Sequence, residues 1–280
     1  MMRLCLTFFI CLLTSFAHAE LLIEITRGAD DATPIAIVPF AGSIPANNDA
    51  LTDIIEGDLN RSGKLRSLPD EKLPVRPSSA GEVLYNEWRN IGANYLLVGS
   101  SRLQADNRYE ITFELLSLDR QTRILGEKMT VPAEKWRDAA HFISDKVFEK
   151  IIGIKGAFST RILYVNQYYS LGKRRYRLEL SDADGHRPIS ILDSPEPILS
   201  PGWSPDGKQV TYVSFENHRP AIFIQNIATE QRRLLASYPG LNGAPSWSPD
   251  GKELLLTLSR DGNPEIYLMN IASGDFTRLT

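Results

Sequence analysis

Cysteine is nearly absent. The 280 residues hold two, Cys5 and Cys11, both inside the first apolar segment. Beyond residue 11 there is no disulfide framework, no thiolate metal ligand and no cysteine nucleophile. Histidine is scarce too: of four, the three past residue 19 (His141, His186 and His218) are too scattered to suggest a metal-binding spacing. A solvated or capping role is expected for each. Excess positive charge is missing, since 31 Lys+Arg against 34 Asp+Glu leave a formal net charge of −3, and nucleic acid is not an expected partner. No apolar run reaches the roughly 20 residues of a membrane-spanning helix, so the protein is expected to be peripheral to membranes, not inserted. Gly-x-Ser-x-Gly, His-Glu-x-x-His and a phosphate-binding loop are all lacking. No catalytic residue, cofactor or metal is expected.

What is present begins with an export signal. Arg3 precedes an apolar stretch over residues 4–13, and Ala17-His18-Ala19 supplies a small-x-small cleavage pattern before Glu20. Residues 1–19 read as a cleaved signal peptide and the periplasm as the destination, where a thiol-free chain cannot mispair.

Residues 20–153 read as a mixed α/β domain. Residues 20–26 have strand composition, and residues 34–39 form a strand without polar interruption, which predicts burial on both faces. Leu51, Ile55 and Leu59 share one face of a helix over residues 49–62. The capping-box spacing of Ser79-Ala80-Gly81-Glu82 predicts a second helix with Leu84, Trp88 and Ile91 on its apolar face. Three strands follow at residues 95–100, 108–118 and 123–131. A closing helix over residues 133–152 carries the stripe Trp136, Ala140, Ile143, Val147 and Ile151 before Gly153.

Residues 154–280 repeat. Trp203-Ser204-Pro205-Asp206-Gly207-Lys208 returns as Trp247-Ser248-Pro249-Asp250-Gly251-Lys252, and Asn226-Ile227-Ala228 returns as Asn270-Ile271-Ala272, both 44 positions later. A period of about 40–45 residues filled with short alternating strands marks four-stranded propeller blades. Three blades are expected, the first lacking an inner strand. Since known rings take about 4–8 blades, the chain reads as truncated within its propeller. Trp203, Pro205, Asp206, Gly207, Trp247, Pro249, Asp250 and Gly251 are expected to build blade turns: a catalytic Ser204–Asp206 pair would need one copy, whereas turns recur in every blade. Lys173, Arg174, Arg175 and Arg177 are expected in a solvated hairpin loop, with an acidic partner as the alternative. The strand at residues 20–25 either completes the first sheet or acts as an arm donated to another protein's sheet edge.

The segment from Val147-Phe148-Glu149-Lys150 through Gly153-Ile154-Lys155-Gly156-Ala157-Phe158 into Arg161-Ile162-Leu163-Tyr164-Val165 resembles the interdomain junction of the TolB family. Pro34–Phe40, Arg61-Ser62-Gly63-Lys64 and Asn242-Gly243-Ala244-Pro245 also fall where that family has them. The resemblance implies an α/β domain followed by a six-bladed propeller without enzymatic activity, serving the Tol–Pal envelope system at cell division. It implies a TolA-like inner-membrane partner at Glu20, Leu21, Leu22, Ile23, Glu24 and Ile25. A Pal-like outer-membrane lipoprotein would bind the propeller mouth at Leu199, Ser200, Tyr238, Leu241, Asn242, Gly243 and Ala244. Family members carry a histidine where this chain has Leu241. Two other readings compete: the propeller half of a serine peptidase, which needs a nucleophile elbow, and a small-ligand receptor, which needs a polar cage on the ring axis.

Overall fold

The computed structural model describes residues 32–46, 49–88 and 90–280. The expected signal peptide (residues 1–19) and the expected arm (residues 20–25) lie outside them. β1 (Thr33–Ile37) and the short β2 (Ala41–Gly42) lead into helix α1 (Leu51–Arg61) and β3 (Leu65–Ser67). A one-turn α2 (Tyr85–Trp88) precedes the long strands β4 (Tyr95–Leu103), β5 (Arg108–Ser117) and β6 (Thr122–Pro132), and helix α3 (Trp136–Ile152) closes the domain. The sheet order is β3-β1-β4-β5-β6, with β2 paired to β4. β1 runs parallel to both neighbours, while β4, β5 and β6 form an antiparallel meander.

The alternation of β1 explains its position. Ile35 and Ile37 pack into a core with Leu51, Ile55 and Leu59 of α1 and Trp136, Ala140, Ile143 and Val147 of α3. Ala36 points to the other face, where Trp88, Leu96 and Leu116 cover it. Both faces are therefore dry, as the unbroken apolar run predicts. Burying each such large side chain contributes about 1.5–3 kcal/mol.

The second predicted helix is a correction. Residues Ala80–Glu82 make a single 3-10 turn, Val83 is extended and buried, and Leu84 is 63% exposed. The Glu82 carboxylate does turn back, accepting from the Ser78 N–H at 2.8 Å and the Ser79 hydroxyl at 3.1 Å. The Ala80 N–H, however, is taken by Glu114 of β5 at 2.6 Å. That N–H has no partner within a helix in any case; the run ends because Val83 turns extended to bury its side chain beside Trp88 and Leu96, and helix resumes at Tyr85–Trp88.

Three antiparallel sheets follow. The first has β7 (Arg161–Ser170), β8 (Lys173–Asp182) and β9 (Ile189–Ser194). The second has β10 (Ile198–Trp203), β11 (Gln209–Ser214), β12 (Ala221–Asn226) and β13 (Arg232–Ala236). The third has β14 (Asn242–Trp247), β15 (Glu253–Leu258), β16 (Glu265–Asn270) and β17 (Phe276–Arg278). In each the strands pair in chain order. The inner strand β10 touches β7 on one side and β14 on the other, so the sheets fan from a common axis as propeller blades.

The middle blade buries both faces. Val210, Tyr212 and Phe223 pack on Leu178 of the first blade, and Val213, Ile222 and Ile224 pack on Leu254, Leu256 and Tyr267 of the third. Ile222 is fully buried, whereas its third-blade counterpart Ile266 is 37% exposed on the face turned away from the middle blade. The basic cluster is a second correction. Lys173, Arg174, Arg175 and Arg177 lie on β8 rather than in a loop, because β7 and β8 stay paired to the Ser170–Lys173 rung and turn through Leu171 and Gly172 alone.

Candidate functional site

The loops of the fan gather at two ends. At one end lie the loops entering the inner strands (195–197 and 237–241) and those joining second to third strands (215–220 and 259–264). They are bonded to each other, Phe215 N–H to the Pro197 carbonyl and Ser259 N–H to the Leu241 carbonyl, both at 3.1 Å. This end is the mouth. Leu199 and Leu241 stand there 50% and 42% exposed. Ser200 and Ala244, 44 residues apart, both take positive φ (47° and 49°) inside a bulge where β10 meets β11 and β14 meets β15. A left-handed conformation costs a non-glycine residue roughly 1–2 kcal/mol, so a bulge kept in both blades is a designed feature of the inner strands.

The other sequence-selected mouth residues divide by role. Asn242 is fully buried and clamps its loop, accepting the Tyr238 N–H at 2.9 Å and donating to the Tyr238 carbonyl at 2.7 Å. Tyr238 is half-buried, edge-on to Phe276 at 5.7 Å. Arg260 stacks over Tyr238, Tyr267 and Phe276 at 5.0, 4.7 and 5.4 Å from their centroids. Leu199, Ser200, Leu241, Gly243 and Ala244 thus supply the reachable surface, and Tyr238 and Asn242 hold it. Sequence reasoning missed Arg260. Its counterpart 44 positions earlier, Glu216, pairs with Arg232, which stacks 3.6 Å over Phe223, so each of these two blades sets a guanidinium over its aromatics.

The repeated turns occupy the opposite end, and their chemistry is internal. The Ser204 hydroxyl donates to Asp206 at 2.6 Å and accepts the Gln209 N–H at 2.9 Å, while Asp206 accepts the Lys208 N–H at 3.1 Å. In the next blade the matching Ser248–Asp250, Glu253 and Lys252 distances are 2.7, 3.0 and 3.1 Å. Gly207 and Gly251 take φ of 68° and 72°, which glycine adopts at little cost. The serine hydroxyl first, and then the backbone N–H, hold Asp206 and Asp250 below the usual carboxylate range. Trp247 donates its indole N–H to Thr211 of the neighbouring blade at 3.1 Å. Trp203 packs between the first and second blades. Pro205, Pro249 and the turn residues line a cavity of about 350 Å³ between the two turns.

At the turn end the α/β domain is joined to the propeller through α3. His141 is a correction: it is neither solvated nor a cap but 2% exposed. Its Nδ1 donates to Asp58 of α1 at 2.7 Å, and its Nε2 faces Asp184 at 3.7 Å and Asp182 at 4.0 Å on the first blade. One turn earlier, Arg137 pairs with Asp49 at 2.8 Å and with Asp184. Arg187 of the blade returns the contact, bonding Asp182 at 2.7 Å and Asp138 of α3. Burial pushes the Asp184 carboxyl up, but the His186 N–H and the charges of Arg137 and His141 outweigh it and hold it low. Burial opposes Asp138 in the same way and is outweighed by Arg187 and Lys135. Asp58, His141 and Asp184 bring ligand atoms within 4.8 Å of one another, a spacing a metal ion could use. Both carboxylates already carry a guanidinium, Arg61 on Asp58 and Arg137 on Asp184. An incoming cation would meet that positive charge, so the group reads as an ion-pair lock between domains. The sequence signal was Arg137, Asp138 and His141 at helical spacing beside the apolar stripe.

Among the described residues no helix is long and apolar enough to cross a membrane. Residues 21–124 match the profile of the TolB amino-terminal domain, and residues 148–280 match that of the TolB β-propeller domain. The Tol-Pal system protein TolB of Alcanivorax borkumensis is 46% identical over 229 residues, covering 81% of this chain and 52% of that protein. Its namesake in Marinomonas sp. is 46% identical over 248 residues, covering 87% and 57%. The crystal structure of TolB from Acinetobacter baumannii superposes with a TM-score of 0.82 at 41% identity, over 92% of this chain and 62% of that one. The chain spans about half the length of the curated relatives it matches. A mixed α/β domain locked to a fan of 44-residue blades, matched at both domains, places the chain in the TolB family of Tol–Pal system proteins.

Proposed function

We propose that the chain acts as a non-enzymatic periplasmic scaffold of the Tol–Pal system, linking a TolA-type inner-membrane protein to a Pal-type outer-membrane lipoprotein. In this role it supports outer-membrane integrity and constriction at division. The TolA-type contact belongs to Glu20, Leu21, Leu22, Ile23, Glu24 and Ile25, and the Pal-type contact to the mouth around Leu199, Ser200, Leu241, Gly243 and Ala244. One observation carries the reading: the mouth opens at the end of the blades away from the α/β domain, which is ion-paired to the turn end. A partner seated at the mouth would therefore not cover the α/β domain, which the arm at residues 20–25 precedes in sequence. The bulges at Ser200 and Ala244 expose backbone there, and Leu199 and Leu241 offer apolar anchors of the kind that dominate interfaces.

The alternative, the propeller half of a serine peptidase, is not favoured, because the relatives matched across both domains are Tol-Pal system proteins TolB. The test is a titration of a Pal-type lipoprotein against the protein carrying Leu199→Asp and Leu241→Asp. Affinity should fall at least about 10-fold, as for loss of a small hot spot. Unchanged affinity would move the site elsewhere. Removing residues 20–25 should abolish TolA-type binding and leave the Pal-type titration as it was.

A further inference from the structure

The first blade carries a ribbon that its neighbours lack. Its β7–β8 pair runs ten residues to ten, whereas β11–β12 and β15–β16 run six to six. β9 follows β8 only as far as the Tyr176–Ser194 rung. The three rungs beyond it, Tyr168–Arg175, Tyr169–Arg174 and Ser170–Lys173, therefore project as a bare two-stranded ribbon, about 10 Å at 3.3 Å per residue. Because Ser194 leads into the loop before β10, the ribbon stands at the mouth end.

Its tip breaks a local rule. Leu171 and Gly172 take φ of 50° and 75°, a two-residue turn that ordinarily asks for Asn-Gly. Leu171 is 100% exposed and Tyr169 66% exposed. A leucine in a left-handed turn that touches nothing gives the fold no return, and an outlier of this kind points to function. Behind the tip stand Lys173, Arg174, Arg175 and Arg177. Asp193 engages Arg175 and Arg177, and Arg177 also faces Glu179 at 3.6 Å. The phenols of Tyr169 and Tyr176 beside it push the Arg174 guanidinium up, and no ion pair with a carboxylate joins Arg174 or Lys173 among the described residues. Arg177 lies 4.4 Å under the Tyr168 ring, whose hydroxyl donates to Asp193 at 2.5 Å, so the base of the ribbon is stiff.

We infer that this ribbon is a contact for an anionic lipid surface, with Leu171 entering the headgroup boundary, Tyr169 lying at it, and Lys173 and Arg174 resting on phosphates. An apolar apex with an aromatic and a collar of unpaired cations is the arrangement that interfacial binding selects. A convex tip two residues wide suits a deformable lipid surface better than a protein interface, which takes roughly 800 Å² per partner. The local charge opposes that of the whole chain, whose net charge is −3.

Vesicle co-sedimentation of the intact protein tests it, with 30% phosphatidylglycerol in phosphatidylethanolamine against pure phosphatidylcholine. Binding should be confined to the anionic vesicles and should fall steeply between 50 and 500 mM salt, conditions chosen to span about a threefold change in screening length. Lys173→Glu with Arg174→Glu should cut the partition at least 10-fold. Leu171→Asn suits the turn better than leucine, so it should raise the melting temperature slightly yet lower binding several-fold. Equal binding to both vesicle types, or anionic binding indifferent to these variants, overturns the proposal. So does the absence of vesicle binding together with weakened Pal-type titration by the ribbon variants, which would assign the ribbon to a protein.

Discussion

At the scale of single residues, the most telling group is His141, where one imidazole touches carboxylates from two domains. Removing it leaves Asp58 buried with Arg61 as its remaining charged partner, and leaves Asp184 with Arg137 and the His186 N–H. Breaking a buried pair from one side costs about 3–5 kcal/mol. His141→Ala should lose about 3 kcal/mol in urea unfolding; a loss under about 1 kcal/mol would show that the imidazole carries no weight there. Glu56 on α1 makes a separate case. Burial first, and then the charges of Asp53 and Asp70, push its carboxyl up from 4.5 to about 7. The folded protein thus keeps a proton that the unfolded chain has released, so stability falls as pH rises from about 4.5 to 7. Glu56→Gln should be indifferent at pH 4 and should add about 1–2 kcal/mol at pH 8, discounted for partial exposure. Denaturation midpoints at the two pH values check it, and an equal effect at both would refute the assignment.

At the scale of elements, the repeated turn was legible in the sequence because all its chemistry is local. Ser204, Asp206, Gly207, Lys208 and Gln209 lie within six positions, and the same bonds recur within 0.1 Å at Ser248–Glu253. Ser204→Ala and Ser248→Ala should therefore cost nearly the same, about 1 kcal/mol each for the lost hydrogen bonds, and should add when combined because the turns share no bond. A large inequality would mean that the neighbouring blade, rather than the turn, sets the cost. Strands β1, β4, β5 and β6 and helices α1 and α3 were legible for a related reason: their apolar period is their core. What was not legible depends on distant partners. Val83 leaves the second helix to pack against Leu96 and Leu116 of strands β4 and β5, and Asp184 lies 43 positions from the His141 that it helps enclose. The β7–β8 ribbon was misread because Lys173, Arg174 and Arg175 resemble a loop in composition. Their pairing follows from Tyr168, Tyr169 and Tyr176 across the rungs, not from any alternation of apolar and polar residues.

At the scale of the whole molecule, the proposed scaffold role asks for a stiff joint between the α/β domain and the blades. Blade packing cannot supply one, since the apolar clusters either stay within the α/β domain or run between blades; only Phe158 of the linker joins the first core. The joint instead rests on ion pairs, with Arg137 at its centre, 8% exposed and set among Asp49, Asp182 and Asp184. Asp145 adds a second tie by accepting the Phe158 and Ser159 N–H groups of the linker at 2.7 and 3.1 Å. Arg137→Met keeps an unbranched apolar stem and removes the charged guanidinium. Asp182 retains Arg187, whereas Asp184 keeps only His141 and the His186 N–H. The loss should therefore fall on the boundary rather than on either core. In this variant, limited proteolysis should cut the linker at residues 154–160 at least about 10-fold faster, in line with an opening made easier by more than 1.4 kcal/mol. Hydrogen exchange in β5 and β15, one strand in each body, should stay at the parent rate. Uniformly faster exchange through both strands, with no preferential linker cleavage, would mean that Arg137 stabilises the fold at large and that the stiffness of the joint comes from somewhere else.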